Sequence, residues 1–257
     1  MSSNSLKEKL SKKELTIGSW ISLGNTAIAE IMANAGFDWI VVDLEHSTIS
    51  IEQAGELIRV IDLAGSSPLV RLTSNDENQI KRVMDAGAHG IVVPMVNSVE
   101  DAMRAISATR YAPQGNRGVG LARAQKYGAG FKDYLEWQKE NPVVIVQIEH
   151  IDAIDHLEDI FSISNVDGFI IGPYDLSCSM GIPGEFKNPK FLEVMELIRD
   201  CAKQSDKPGG LHIVEPDRKL LNQSIKDGYC FIAYSVDICM LDSVCREGLN
   251  HVKEKIQ

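Results

Sequence analysis

Short apolar, β-branched runs alternate with longer amphipathic stretches along this 257-residue chain. The strand-like runs are Thr16–Ile21, Asp38–Asp43, Pro68–Leu72, Gly90–Met95, Val143–Glu149, Val166–Gly172, Gly210–Val214 and Cys230–Ser235. Between them lie stretches of helical period: Thr26–Ala35, Ile51–Leu63, Glu77–Ala86, Val99–Thr109, Asp152–Ile160, Pro189–Gln204 and Pro216–Lys226, with a last helix over Ile238–Lys255. In Ile51–Leu63 the apolar positions Ile51, Ala54, Leu57, Ile58 and Ile61 share one helical face. Strands separated by helices pair in parallel, because each crossover needs a helix to carry the chain back. Eight such units predict an α/β fold, a closed (β/α)₈ TIM barrel, with residues 1–257 as one domain. An open doubly wound sheet is the alternative, but it usually has fewer units, and no Gly-x-Gly-x-x-Gly turn follows the first strand.

Hydrophobic residues make up 44% of the chain, enough for a large core. The formal charge of −10 repels nucleic acid and anionic membranes, and no basic patch overrides it. The early basic residues Lys7, Lys9, Lys12 and Lys13 are interspersed with polar ones and read as a solvated helix. Five cysteines, an odd number with no CxxC spacing, fit a reducing compartment better than a disulfide framework or zinc site. MSSNSLKEKLSKKEL has no apolar signal core, and no run reaches membrane-spanning length, so the expected location is the cytoplasm. The long connection Tyr111–Asn141 is expected to be a cover or contact surface.

Barrel active sites lie where strands run into the following loops. Those positions hold Asp43-Leu44-Glu45-His46, Arg71, Gln147-Ile148-Glu149-His150, Gly172-Pro173-Tyr174-Asp175, His212 and Ser235-Val236-Asp237, so charged and imidazole groups gather at one rim. Glu149 and Asp175 end consecutive strands. Each alone reads equally as a helix cap, but together they read as a carboxylate pair for Mg²⁺ or Mn²⁺. His150 points away from Glu149 if the strand continues. His46 is the candidate base, since an imidazole ordinarily titrates near neutrality; a surface loop histidine is the competing reading. Arg71 suits a developing enolate oxygen or a carboxylate, and equally an ion pair with Asp43 or Glu45. The backbone N–H groups of Gly172–Ser177 form a candidate carboxylate nest, and Trp20 either shapes the pocket or packs in the core. No lysine lies in a strand or at its end, which disfavours a Schiff base, and no glycine-rich phosphate loop follows the last two strands.

These motifs, in order, resemble the HpcH/HpaI family of class II pyruvate aldolases. DLEH at Asp43–His46, VRL at Val70–Leu72, GAHGIVVPMV at Gly87–Val96, QIEH at Gln147–His150 and GPYDLS at Gly172–Ser177 carry the resemblance, which covers nearly the whole chain. It implies a phosphoenolpyruvate/pyruvate-type barrel that cleaves or forms 4-hydroxy-2-oxo acids, giving pyruvate and an aldehyde through a metal-stabilised enolate. It implies Glu149 and Asp175 as ligands of a divalent metal, Mg²⁺ or Mn²⁺ before Co²⁺ or Zn²⁺. His46 becomes the proton acceptor, Asp85 the partner that raises its basicity, and Arg71 the enolate stabiliser. Gln147 and the residue at position 174, Tyr174, become substrate contacts; the rim reading adds Gly172, Pro173, Asp175 and Trp20 as candidates, with Asp43 and Glu45 behind them. Tyr174 stands where the best-known members have alanine, and Ala233–Asp237 also departs from the small residues familiar there. The resemblance further implies a homohexamer with the last helix exchanged between subunits. An acyl-CoA lyase, drawing on Arg117, Arg123 and Lys126, and a non-catalytic oxo-acid-binding barrel are the alternatives.

Overall fold

The structure, a computed structural model, describes residues 5–256, with side chains through Val252, so residues 1–4 and 257 of the expected domain lie outside the described residues. Eight parallel strands close in sequence order into a barrel: β1 (Thr16–Ile21), β2 (Trp39–Asp43), β3 (Ser67–Arg71), β4 (Gly90–Val93), β5 (Val143–Ile148), β6 (Gly168–Ile171), β7 (Gly209–Ile213) and β8 (Phe231–Val236). Helices α1 (Leu6–Ser11), α2 (Thr26–Asn34), α3 (Ile51–Leu63), α4 (Glu77–Asp85), α5 (Val99–Thr109) and α6 (Phe131–Glu140) accompany the first half. The second half carries α7 (Leu157–Ser162), α8 (Pro173–Ser179), α9 (Pro189–Gln204), α10 (Arg218–Lys226) and α11 (Asp237–Ile256). This is the (β/α)₈ barrel that the alternation predicts. Among the described residues no helix is long and apolar enough to cross a membrane.

Alternation along each strand divides the apolar residues into two cores. Ile40, Val42, Val70, Ile91, Val144, Val146, Phe169 and Ile232 face outward and pack under the helices. Trp39, Val41, Leu69, Val92, Ile145, Ile170, Phe231 and Ala233 face inward and fill the barrel. Near its floor Trp39 stacks on Phe231, with ring centroids 4.0 Å apart. Gly18 leaves room for that stack, because a Cβ there would lie 2.0 Å from the Trp39 ring.

Three expectations need correction. The N-terminal helix is not simply solvated: Leu6 and Leu10 join the inner core and plug the barrel floor, while Lys7 and Lys9 pair with Asp167 and Asp38. The connection 111–141 is not merely a loop, since it contains α6 with Tyr134 and Gln138 buried. The helix expected over Asp152–Ile160 is split into a 3₁₀ segment, Ile151–His156, followed by α7. Strand ends shift by a residue or two. β4 stops at Val93, since Pro94 has no N–H for the ladder and Met95 turns into the left-handed region at φ 53°.

Candidate active site

At the C-terminal ends of the strands the inward positions change from apolar to polar. Arg71, last in β3, holds Asp43, last in β2, with a two-pronged bond: Nε and Nη2 donate to the carboxylate at 2.9 and 2.7 Å. Burial pushes the Asp43 carboxyl up, but the Arg71 guanidinium and the N–H groups of Glu45 and His46 outweigh it, leaving the group below its ordinary range. The third arm of the guanidinium, Nη1, lies 3.2 Å from Glu45. The ion-pair reading of Arg71 thus holds with both carboxylates. Its guanidinium carbon also sits 4.5 Å over the Trp20 ring. Trp20 is buried, and its indole Nε1 has no partner.

Glu149 follows β5 and is 3% exposed. Its Oε1 accepts the Met95 N–H at 2.7 Å, and its Oε2 accepts from the Gln147 side-chain amide. The left-handed turn at Met95 presents that N–H, a backbone contribution that no side-chain motif announces. Burial, with further repulsion from Glu45 and Asp175, raises the Glu149 carboxyl from 4.5 to about 7. Gly172 lies against this pair: a Cβ there would stand 3.0 Å from Glu149 Oε2 and 3.3 Å from the Gln147 amide nitrogen. Pro173 then opens α8 at a position that needs no N–H. Asp175, in the first turn of α8, is exposed and has no hydrogen bond or ion pair to the described residues. The side-chain amide oxygen of Gln147, Oε1, is buried without a partner.

The carboxylates 45, 149 and 175 therefore bear on one another electrostatically. Among the described residues no group of three or more His, Cys, Asp or Glu side chains is arranged to hold an ion; the expected ligand set, Glu149 with Asp175, is smaller than that. Its hard oxygen donors and the orphaned Gln147 Oε1 nevertheless fit Mg²⁺ or Mn²⁺ better than a soft metal.

His46 lies in the exposed loop after β2, its Nε2 3.9 Å from Glu45 Oε2. Glu45 thus stands between the arginine and the imidazole. Asp85 is not brought to His46 within this chain. It ends α4, at the opposite end of the barrel, 3.9 Å from Arg117. Tyr174 turns its ring away to meet Phe186 edge-on at 4.9 Å. His150 caps the following 3₁₀ segment by accepting the Asp152 N–H at 3.3 Å, away from Glu149 as its strand parity demands. Arg117 is buried and donates to Tyr134 and Thr109. Arg123 pairs with Asp62, and with Lys126 it lines a 580 Å³ cavity that His89 and Trp137 share. These bases, which the acyl-CoA reading needs, lie away from the rim.

The sequence pattern marks Asp237 only as the end of a strand run. Its carboxylate accepts from Ser22 N–H, Ser22 O–H and Leu23 N–H at 2.8–3.0 Å, closing the β1–β8 seam at the mouth.

Residues 16–242 match the HpcH/HpaI aldolase/citrate lyase family. The 2-keto-3-deoxy-L-rhamnonate aldolase of Escherichia coli K12 is 35% identical over 249 residues, covering 96% of this chain and 92% of that protein. An HpcH/HpaI aldolase/citrate lyase family protein of Burkholderia cenocepacia J2315 superposes with a TM-score of 0.92 at 32% identity, covering 98% of this chain and all of the other. An HpcH/HpaI aldolase of Desulfitobacterium hafniense DCB-2 gives 0.89 at 29%, with 98% of each chain covered. With its barrel, rim motifs and matched length, this chain belongs to the HpcH/HpaI aldolase/citrate lyase family and is a carbon–carbon lyase.

Proposed function

We propose that the protein is a divalent-metal-dependent aldolase that cleaves or forms 4-hydroxy-2-oxo acids, with pyruvate and an aldehyde as the two halves. The observation that carries this reading is the buried Glu149 carboxylate, set by Met95 and Gln147 and within electrostatic reach of Asp175 and Glu45. Glu149 and Asp175 would hold Mg²⁺ or Mn²⁺, with Co²⁺ or Zn²⁺ as weaker fits. When bound, such an ion supplies Lewis acidity toward the carboxylate and 2-oxo oxygens of the substrate.

The chain's own residues do the rest. His46 takes the proton from the C4 hydroxyl, and Glu45 steadies the imidazolium so formed. The C3–C4 bond breaks, the aldehyde leaves, the electron pair enters the pyruvate enolate, and uptake of a proton at C3 completes pyruvate. Arg71 is fixed by Asp43 and backed by Trp20, so it meets the developing oxyanion without reorganising. Gln147 and the backbone of Gly172, Pro173 and Tyr174 position the oxo acid, while the Tyr174 ring stays outside. Condensation runs these steps in reverse. Asp85 enters this scheme only if a neighbouring subunit presents it.

We also propose a cytoplasmic homo-oligomer, a hexamer by family resemblance, that exchanges α11. The support is a helix whose main contacts are with β1 and β8, with Ile238, Leu241, Val244, Leu249 and Val252 exposed.

The test is pyruvate release from a 4-hydroxy-2-oxo acid. EDTA should abolish it and Mg²⁺ or Mn²⁺ restore it. Turnover that survives complete chelation and is trapped by borohydride rejects the metal route.

A further inference from the structure

We infer that His212 is a specificity-determining residue, whose Nδ1 accepts a hydrogen bond from a hydroxyl carried by the aldehyde half of the substrate; this rests on the aldolase reading above. Leu211 and Ile213 pack outward under the helices, so His212 points into the barrel. It shares a tier with Trp20 and Arg71: its ring stacks on Trp20 at 5.0 Å and 14°, and Arg71 lies over the same indole. The three come from β7, β1 and β3, and barrel tiers are built from alternate strands. Lower inward positions are filled by Leu69, Val92, Ile145 and Ile170, so packing alone does not call for an imidazole.

The neighbouring strand is reshaped around this ring. Between β1 and β8 the register shifts by one residue, and Ser235 is held in the left-handed region at φ 59° without being glycine. Its carbonyl lies 3.3 Å from His212 Nε2 and also accepts from the Ser19 hydroxyl at 3.1 Å. Its own hydroxyl donates to the Val214 carbonyl at 2.9 Å, fixing the turn to the end of β7. A carbonyl only accepts, so Nε2 carries the hydrogen. Burial and the nearby Arg71 charge keep the ring neutral, with its pKa lowered to about 4. Nδ1 therefore carries a lone pair. It has no protein partner among the described residues, and the half-buried ring leaves it open to a ligand.

A neutral acceptor repels carboxylate, phosphate and carbonyl oxygens and welcomes an O–H. Pyruvate has none, and the C4 hydroxyl is assigned to His46. The donor is then a further hydroxyl on the aldehyde half, which makes 2-hydroxyaldehydes the favoured class.

The test condenses pyruvate with glycolaldehyde or propanal, in which a methyl replaces the hydroxyl. The full chain is loaded with Mn²⁺, and the ratio of the two kcat/KM values is compared between variants so that intrinsic reactivity cancels. One lost neutral hydrogen bond corresponds to roughly tenfold. His212→Leu and His212→Gln, which leave no acceptor at the Nδ1 position, should lower the glycolaldehyde-to-propanal ratio about tenfold or more. His212→Asn, whose amide occupies that position, should recover part of it, and either polar variant serves if the leucine variant does not fold. A ratio unchanged across the variants, even with both rates reduced, assigns His212 a purely structural role and overturns the inference. Wild-type protein that forms no product from either aldehyde, and no pyruvate from any 4-hydroxy-2-oxo acid, overturns the aldolase reading and this inference with it.

Discussion

Burial and the Arg71 guanidinium hold the His212 imidazole down at a pKa of about 4, against an ordinary 6.5, while Asp43 pulls weakly the other way. An unfolded chain takes up a proton on this ring as pH falls through 6.5, but the folded chain does not until about 4. Within that window the unfolded state binds more protons, so folding stability drops as pH falls and is fully present above it. The loss is on the order of 3 kcal/mol. Asp43 contributes in a lower window: its folded value lies below the ordinary 3.8, so its share is lost only as pH falls below that value. Glu149 works the other way over much of this range, since its carboxyl is raised from 4.5 to about 7 and the folded state gains stability as it takes up that proton. The share of His212 is therefore read as a difference: between pH 6.5 and 4 the urea midpoint of the wild type should fall relative to that of His212→Leu. A difference that stays constant with pH places the acid lability elsewhere.

Helix α1 shows how much a short element can carry. Its six residues are too few to be stable alone, and Leu6 and Leu10, one turn apart, anchor it on the barrel floor. Leu10 is 1% exposed, so Leu10→Ala should cost about 2–4 kcal/mol by loss of burial and creation of a cavity. Lys12→Ala, on the exposed side, should leave the denaturation midpoint where it was; equal midpoints for both variants would sink the plug. The two leucines were hidden in the sequence by the four lysines around them, since a charge pattern reads as a solvated face when the apolar stripe is only two residues long. Helix α6 escaped notice in the same way, because its buried Tyr134 and Gln138 follow a stretch punctuated by Gly and Pro. The strands were legible because most are apolar and buried on both faces, β7 with its two glycines and half-buried Leu211 and His212 being the weakest. Most of their ends lie a residue or two from where the pattern put them, as at Pro94 and the β8 bulge. At the rim, position at the strand ends pointed to Arg71 and Glu149, strand parity to the outward turn of His150, and the family resemblance to Gln147. None of these could reveal Met95, whose part is played by a backbone N–H, nor the acceptor role of His212, which depends on where the Ser235 carbonyl points.

Over the whole molecule the interior is graded, plugged and apolar at the floor and charged at the mouth, so the chemistry faces one way. Among the described residues the exterior exposes large apolar side chains in several places, and helix α11 carries five of them. Helix α11 leaves the seam that Asp237 closes and leaves Leu241 58% and Val244 69% exposed, with Ile238, Leu249 and Val252 also open along its length. An apolar stripe of this kind is costly in water and supports the proposed packing of α11 on a neighbouring chain. If α11 packs on a neighbour, two carboxylates placed in the stripe should break the assembly without touching the barrel. The double variant L241D/V244D should elute with the mass of one 28.3 kDa chain by light scattering, while wild type elutes as a multiple of it. Its far-ultraviolet circular dichroism should remain that of a folded α/β protein, since the inner and outer cores do not include either side chain. Wild-type protein that is already monomeric at micromolar concentration, or a double variant that keeps the assembled mass, would leave α11 without the exchanged role given to it.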